Sequence, residues 1–403
     1  MSYEDRVLKI VESKEEELAS LLQRLVQFES VNPPGNEGAI ARYLAKRLRS
    51  SGFEIELVEV VKGRPNVIGR MKGAGDGPCL LCYGHTDVVP PGDLENWRYP
   101  PFEGIRVGDE VHGRGSQDHK FPIPPFIIAA DAIREAGLKL RGDLVYTFVA
   151  DEEAGGRYGF RYLAENGYFD DTDCMIYGGA GSRGDAVIVG ANGQLATTVV
   201  VRGKTAHTAS LEKGVNAILA AVKAITRLQE LAEEVNGRTH PLTGRSRMSI
   251  NMIRGGDKIN ILPDRCVVTI DRRITPAESF EDARREMEEV VDTLREEELN
   301  IELTLEQGMP PVASDPDSEI AQILRRAGEE MTGKSVGIAG SSGSSDYSWY
   351  VNRLKKPAAS YSISSAPRRA HAPNEFIKVP DLVSTAKVYA LTLMRYLGVQ
   401  PPS

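Results

Sequence analysis

Cysteine and histidine are scarce in this chain of 403 residues, at four and six. Four cysteines are too few for a disulfide framework at this length, and only Cys79 and Cys82 form a CxxC. That pair lies inside an apolar strand-like run with no second pair to complete a zinc site. Cys79, Cys82, Cys174 and Cys266 are therefore expected as buried, reduced thiols. Long apolar runs are missing too: nothing approaches the roughly 18 residues of a spanning helix. The start, "MSYEDRVLKI", has an acidic pair and no apolar core, so it does not read as a secretory signal. An excess of positive charge is also absent. With 49 Lys and Arg against 57 Asp and Glu the net charge is -8, which argues against a nucleic-acid or anionic-membrane surface. A cytoplasmic protein that binds neither nucleic acid nor membrane is the expectation.

The remaining composition, 41% hydrophobic and 26% charged, is that of a globular protein. The length allows two or three domains, each with its own core. Residues 4–29 have helical spacing with one interruption, "SVNPPGNEG" is a turn cluster, and "AIARYLAKRLRSSG" reads as a helix closing on Gly52. Strands "EIELVEV", "NVIGRM" and "CLLCYGH" follow, then a helix around 126–136 and the strand "DLVYTFVAD" running into "DEEAGG". A helix around 157–166 and strands "CMIYG" and "AVIVG" come next. Strands alternating with helices predict an α/β sandwich around a mixed, mostly parallel sheet. From about 194 the pattern changes to strands "LATTVVVRG", "SRMSINMIRGG" and "RCVVTIDRRI" with long helices over 213–235 and 277–298. These suit an inserted α+β domain, an antiparallel sheet with two helices, before helix 317–331 returns to the first. The expected division is 1–193, 194–308 and 309–403.

Four segments place acids or histidines where strands end. They are His85-Thr-Asp87; "GRGSQDHK" with Asp118; "DEEAGG" with Asp151, Glu152 and Glu153; and "AHAPNEF" with His371 and Glu375. Singly, each is an ordinary surface feature. Ligand sites in open α/β sheets form beyond the carboxyl ends of strands, and such a cluster there would repel itself without a cation at its centre. Imidazole with carboxylate oxygens suits Zn²⁺, Co²⁺ or Mn²⁺.

In order and spacing, "GHTDVVP", "GRGSQDHK", "DEEAGGRYG", "VRGKTAHTA", "INILPDRCVVTIDRR" and "AHAPNEF" resemble one family along nearly the whole chain. It is the zinc-dependent deacylase and exopeptidase family of acetylornithine deacetylase, succinyl-diaminopimelate desuccinylase, aminoacylase, glutamate carboxypeptidase and carnosinase. The resemblance implies a catalytic α/β/α domain with an inserted lid that forms a homodimer, and a small-molecule substrate, an N-acyl amino acid or short peptide. It implies one or two ions per chain. His85 and Asp118 would hold one, and Asp118, Glu153 and His371 the other. Asp87 would orient His85, and Glu152 would be the general base for the attacking water. His207 resembles the lid histidine that reaches a neighbouring active site to stabilise the oxyanion. Asn260 and Arg273 resemble lid residues that hold a substrate carboxylate; an ion pair with Asp271 is the competing reading of Arg273.

The pattern breaks at "MIYGGAGS", where Gly179 stands in place of the acid that is usually the third ligand of the His85 ion. Three readings follow: a single ion on Asp118, Glu153 and His371; a substitute acid such as Asp185; or a metal-binding homologue with weak or no catalysis. Phe121 also replaces a common glycine. "GAGSRG" at 179–184 fits G-x-G-x-x-G, but "DAVIVGANG" after it is strand-like, whereas a dinucleotide fingerprint needs a helix there.

Overall fold

The computed structural model describes residues 1–179 and 184–401. Two compact units emerge. The first contains 1–189, 314–339 and 349–403, and the second 190–313 and 340–348. In the sequence, 340–345 stands out only as the low-complexity tract "GSSGSS", with nothing to place 340–348 in the second unit.

At the centre of the first unit lie four parallel strands, in spatial order Asp143–Val149, Cys79–His85, Cys174–Gly178 and Ala358–Tyr361. Antiparallel strands flank them: Pro65–Met71 and Glu54–Glu59 on one side, Ala186–Ala191 on the other. All seven residues of Cys79–His85 are buried, because helices cover both faces of a parallel sheet; hence its unbroken apolar run. The helices Tyr3–Ser13 and Glu15–Val26 are separated at Lys14, the expected single interruption. Gly52, at φ +91°, follows the helix Gly38–Ser50, a backbone conformation that costs a glycine least. The helix Ile123–Glu135 carries Pro124 and Pro125 in its first turn, where a missing N–H costs nothing. It is buried from Ile123 to Ile133, and Phe126 stacks on Tyr389 of the long helix Val379–Leu397 at 4.2 Å between ring centres. A helix apolar all round belongs in a core.

The second unit is a four-stranded antiparallel sheet in the order Arg247–Gly255, Arg265–Ile274, Gly193–Arg202, Asn300–Met309. The helices Ala217–Gly237 and Phe280–Glu296 share a core with it that includes Leu195, Val199, Leu228, Val268, Met287 and Val291. Ala217–Gly237 starts later than its apolar spacing suggested, because Asn216 caps it through Ile218 N and Leu219 N. Asn300–Met309 escaped the sequence reading; buried Ile301 and exposed Glu302 give its outer strand the two-residue alternation. All four cysteines are buried and unpaired, as their apolar surroundings implied. Among the described residues no helix is long and apolar enough to cross a membrane.

Candidate metal centre and active site

The parallel strands deliver the polar groups to one edge of the first unit. His85 is the last residue of its strand, and Asp151, Glu152 and Glu153 follow the end of the neighbouring strand Asp143–Val149. His85 Nε2 lies 3.4 Å from Asp118 Oδ1 and 3.7 Å from Glu152 Oε2. On the other side, His371 Nε2 lies 3.5 Å from Asp118 Oδ2 and 3.1 Å from Glu153 Oε2. Asp118 thus stands between the two histidines, one oxygen toward each. His85, Asp118 and Glu153 offer three ligand atoms within 4.8 Å of one another.

Behind this rim the residues are locked in place. His85 Nδ1 is 3.1 Å from the Asp87 backbone carbonyl and 3.4 Å from Asp87 Oδ1. With its proton on Nδ1, the ring presents Nε2 as a lone-pair donor. The nearer contact is therefore the Asp87 carbonyl. The buried Asp87 carboxylate also accepts from Glu152 N and Glu153 N, both at 3.1 Å, and from Asn32 Nδ2 at 2.8 Å, so one side chain aims His85 and clamps the Glu152–Glu153 turn. Burial pushes its carboxyl up, but His85 and these donors outweigh burial and hold it below the usual range. Asp151, at φ +71°, is held by Arg64 Nη2 at 3.0 Å and Tyr158 N at 3.0 Å. Arg64 in turn pairs with buried Glu37 at 2.6 Å.

Glu375 was singled out in the sequence without a role, and the structure supplies one. It is fully buried and accepts from Arg114 Nη1 at 2.8 Å, Gly115 N at 3.0 Å, Gln117 N at 2.6 Å and Asp118 N at 2.9 Å. The loop that carries Asp118 is wound around this carboxylate. Asn32 was missed altogether; a polar residue in a proline-rich turn gives no pattern to read.

The departures also have structural settings. A Cβ on Gly179 would lie 2.5 Å from Ser360 Oγ and 3.3 Å from Ser362 Oγ, so neighbouring serines fill the space where a side chain would start. Asp185 is exposed, and its carbonyl accepts from Gly337 N at 2.8 Å. Residues 180–183 of "GAGSRG" lie outside the described residues. Ala186–Ala191 after them is a strand, so the dinucleotide fingerprint fails for want of its helix. Phe121 is buried. His207, Asn260 and Arg273 belong to the second unit. There the His207 backbone bridges to Ile261 and Thr208 N donates to the Asn260 carbonyl at 3.3 Å, so His207 and Asn260 sit on facing segments, both exposed. Arg273 Nε pairs with Asp271 Oδ1 at 2.8 Å, the competing reading of that residue.

A cation fits this donor set. His85 Nε2 and Glu153 Oε1 are buried and make no hydrogen bond, and buried polar atoms without partners are costly. The carboxylates raise both imidazoles: at His371 chiefly through contact with Glu153, at His85 through Glu152, Asp118 and Asp87 against the opposing effect of burial. Excess carboxylate around a donor atom is the electrostatic condition for a divalent ion. A histidine–carboxylate cluster at the carboxyl edge of an α/β sheet is the layout of a metallohydrolase. The chain belongs to peptidase family M20/M25/M40, whose model matches residues 81–395. It is similar to the succinyl-diaminopimelate desuccinylase of Alkalilimnicola ehrlichii, 28% identical over 95% of this chain and 100% of that protein. It is also similar to the N-formyl-4-amino-5-aminomethyl-2-methylpyrimidine deformylase of Halalkalibacterium halodurans, 26% identical over 98% and 97%. The fold is shared with an M20 family metallo-carboxypeptidase of Sulfolobus solfataricus, at a TM-score of 0.82, 19% identity, and coverage of 94% of this chain and 99% of that one. Human carnosine dipeptidase 1 shares it at a TM-score of 0.75, 17% identity, and coverage of 98% and 99%. The protein is a metal-dependent hydrolase of amide or peptide bonds, and the reading as a non-catalytic homologue is not favoured.

Proposed function

We propose that this protein is a Zn²⁺-dependent deacylase or exopeptidase that releases a carboxylate-bearing amine from an N-acyl amino acid or short peptide. The observation that carries it is the placement of Asp118 between His85 and His371, with Glu153 beside it and Glu152 3.7 Å from His85. Zn²⁺, or Co²⁺ or Mn²⁺ in its place, would be held by Asp118, Glu153 and His371, with His85 on the opposite side. It would supply Lewis-acid polarisation of the scissile carbonyl and of water. Glu152 takes the proton of the attacking water and returns it to the leaving amine. Asp87 fixes the His85 tautomer and the position of Glu152 together.

We further propose one ion per chain. With Glu153 committed to the first ion, a second ion on the His85 side would have His85 and the shared Asp118, fewer than the three protein ligands of a catalytic zinc, and Gly179 supplies nothing. Catalytic parts at 1–193 and 309–403 around a lid at 194–308 accord with this reading. So does a homodimer built on the lid. Arg247–Gly255 is one of the two outer strands of its sheet, with Met252 and Ile253 exposed, and Leu219 and Val222 are exposed on the helix Ala217–Gly237. An unpaired edge with apolar neighbours favours a second copy. His207 and Asn260 are the lid residues assigned to oxyanion and carboxylate. Buried unpaired cysteines favour the cytoplasm. A panel of N-acyl amino acids and dipeptides, run on Zn²⁺-reconstituted protein, tests this function. Turnover of at least one with a free carboxylate is expected, and no turnover of any refutes it.

A further inference from the structure

The turn "SVNPPGNEG", at 30–38, sends polar side chains inward that the chemistry above does not use. Ser30, Asn32 and Glu37 are all buried. Ser30 Oγ donates to the Thr86 carbonyl at 2.5 Å, and Asn32 N to the Val88 carbonyl at 2.9 Å. These bonds fix the turn along the segment that carries His85 and Asp87. Asn32 Nδ2 reaches Asp151 Oδ1 at 3.4 Å as well as Asp87. Arg64 makes the charged link to that second segment. Its Nε and Nη2 donate to the two oxygens of Glu37 at 2.9 and 2.6 Å, a fork on a carboxylate, and Nη2 also meets Asp151 Oδ1 at 3.0 Å.

The surroundings are built for this guanidinium. Gly35, at φ +91°, lies so close that a Cβ there would be 2.1 Å from Arg64 Nε. Burying charges is costly unless each is paired and hydrogen-bonded, and here two buried acids share one cation. The far end of the chain of contacts is Asp151, a non-glycine residue at φ +71° immediately before Glu152 and Glu153. Its other carboxylate oxygen accepts from Tyr158 N at 3.0 Å, and its carbonyl accepts from Gly156 N at 2.7 Å and Ala154 N at 3.2 Å. Sparsely populated backbone of this kind persists where the structure around it imposes it. The direction in which Glu152 and Glu153 leave the turn depends on it. Asp87 grips the turn at the N–H groups of those two residues, and Arg64 grips it from the residue before.

We propose that Arg64, seated on Glu37, is a positioning residue for the hydrolysis. By holding Asp151 left-handed it sets where the base Glu152 and the metal ligand Glu153 stand relative to His85 and Asp118. The proposal rests on the roles given to Glu152 and Glu153 under Proposed function, and is read both by metal affinity and by rate. A wild type that binds Zn²⁺ yet hydrolyses nothing refutes the hydrolase reading, while the affinities of the variants still decide the role of Arg64.

The experiment compares full-length wild type with Arg64→Gln, with the double variant Arg64→Gln/Glu37→Gln, and with Arg47→Gln. The last is a control, because it breaks a pair with buried Asp131, also at 2.5 Å, that touches none of the site residues. Zn²⁺ affinity is measured by competition with a chelating dye, kcat and KM at saturating Zn²⁺, and stability by thermal unfolding. In both Arg64 variants affinity and kcat should each fall about tenfold or more, as for the loss of a group that orients a ligand. KM should stay within about twofold, because binding of substrate is not what is lost. The double variant no longer strands the Glu37 charge, so its stability should recover over Arg64→Gln while affinity and kcat stay low. Arg47→Gln should lose stability and keep both. Wild-type affinity and kcat in a folded Arg64 variant would overturn the proposal. So would recovery of both together with stability in the double variant, or equal losses in Arg47→Gln, since either makes the role of Arg64 one of stability alone.

Discussion

Glu152 and Glu153 are adjacent and chemically identical, yet their surroundings divide the work. Glu153 Oε2 meets His371 at 3.1 Å, and burial above all raises its carboxyl. Glu152 reaches toward His85 from the same turn, its backbone held by Asp87. Glu152→Gln is therefore expected to keep its metal while turnover falls about 100-fold or more, and Glu153→Gln to lose metal. Metal content and rate, measured on the same samples, check this; full turnover in Glu152→Gln removes it as the base. Gly179 makes a different prediction. Gly179→Ala drives a Cβ toward Ser360 Oγ and should cost about 1–3 kcal/mol as overpacking, with Ser360→Gly relieving it. Denaturant unfolding reads the difference, and a wild-type midpoint for Gly179→Ala would mean that the contact is not tight. The sequence singled out His85, Asp118 and His371 as part of a cluster of acids and histidines after apolar runs and Gly-rich turns, and only the family resemblance gave them ligand roles; the structure brings the three together. Asn32 and Glu375 were not assigned roles, because their partners lie 55 residues or more away along the chain.

Among the elements, the loop 114–118 is set by one buried carboxylate. Replacing Glu375 with Gln leaves Arg114 without its countercharge and loosens the Asp118 backbone. Metal affinity should then fall about 10–100-fold, read by competition with a chelating dye; unchanged affinity would show that the loop holds itself. In the second unit, fully buried Arg272 pairs with Glu278 at 2.7 Å and Glu286 at 2.6 Å, and Glu278 also binds Arg238 and Ser246. Burial pushes the Glu278 carboxyl up, but Ser246, Arg272 and Arg238 together bring it below its ordinary 4.5. A lowered folded value stabilises the protein above pH 4.5 and loses that stabilisation as pH falls through the folded value. Unfolding profiles of wild type and Glu278→Gln should therefore differ at neutral pH and converge below pH 4.5; a constant gap would contradict the assignment. Arg272→Met strands two acids and should cost about 3 kcal/mol or more.

At the scale of the whole molecule, the alternation of strands and helices disclosed the α/β sheet, and the change of pattern near 194 lies close to residue 190, where the second unit begins. What stayed hidden depended on contacts distant in sequence. The outer strand Asn300–Met309 is defined by its pairing with Gly193–Arg202, and the segment 340–348 joins the second unit through bonds such as Gly340 N to the Leu242 carbonyl. If the lid forms the dimer, Met252→Glu with Leu219→Glu should give monomers in sedimentation velocity, and a wild-type profile would move the interface elsewhere. The central claim is that Asp118 anchors a metal that this hydrolase needs. Metal content per chain by mass spectrometry, wild type against Asp118→Ala, tests it most directly. The account predicts about one divalent ion in the wild type and almost none in the variant; a metal-free wild type, or equal content in both, would contradict it.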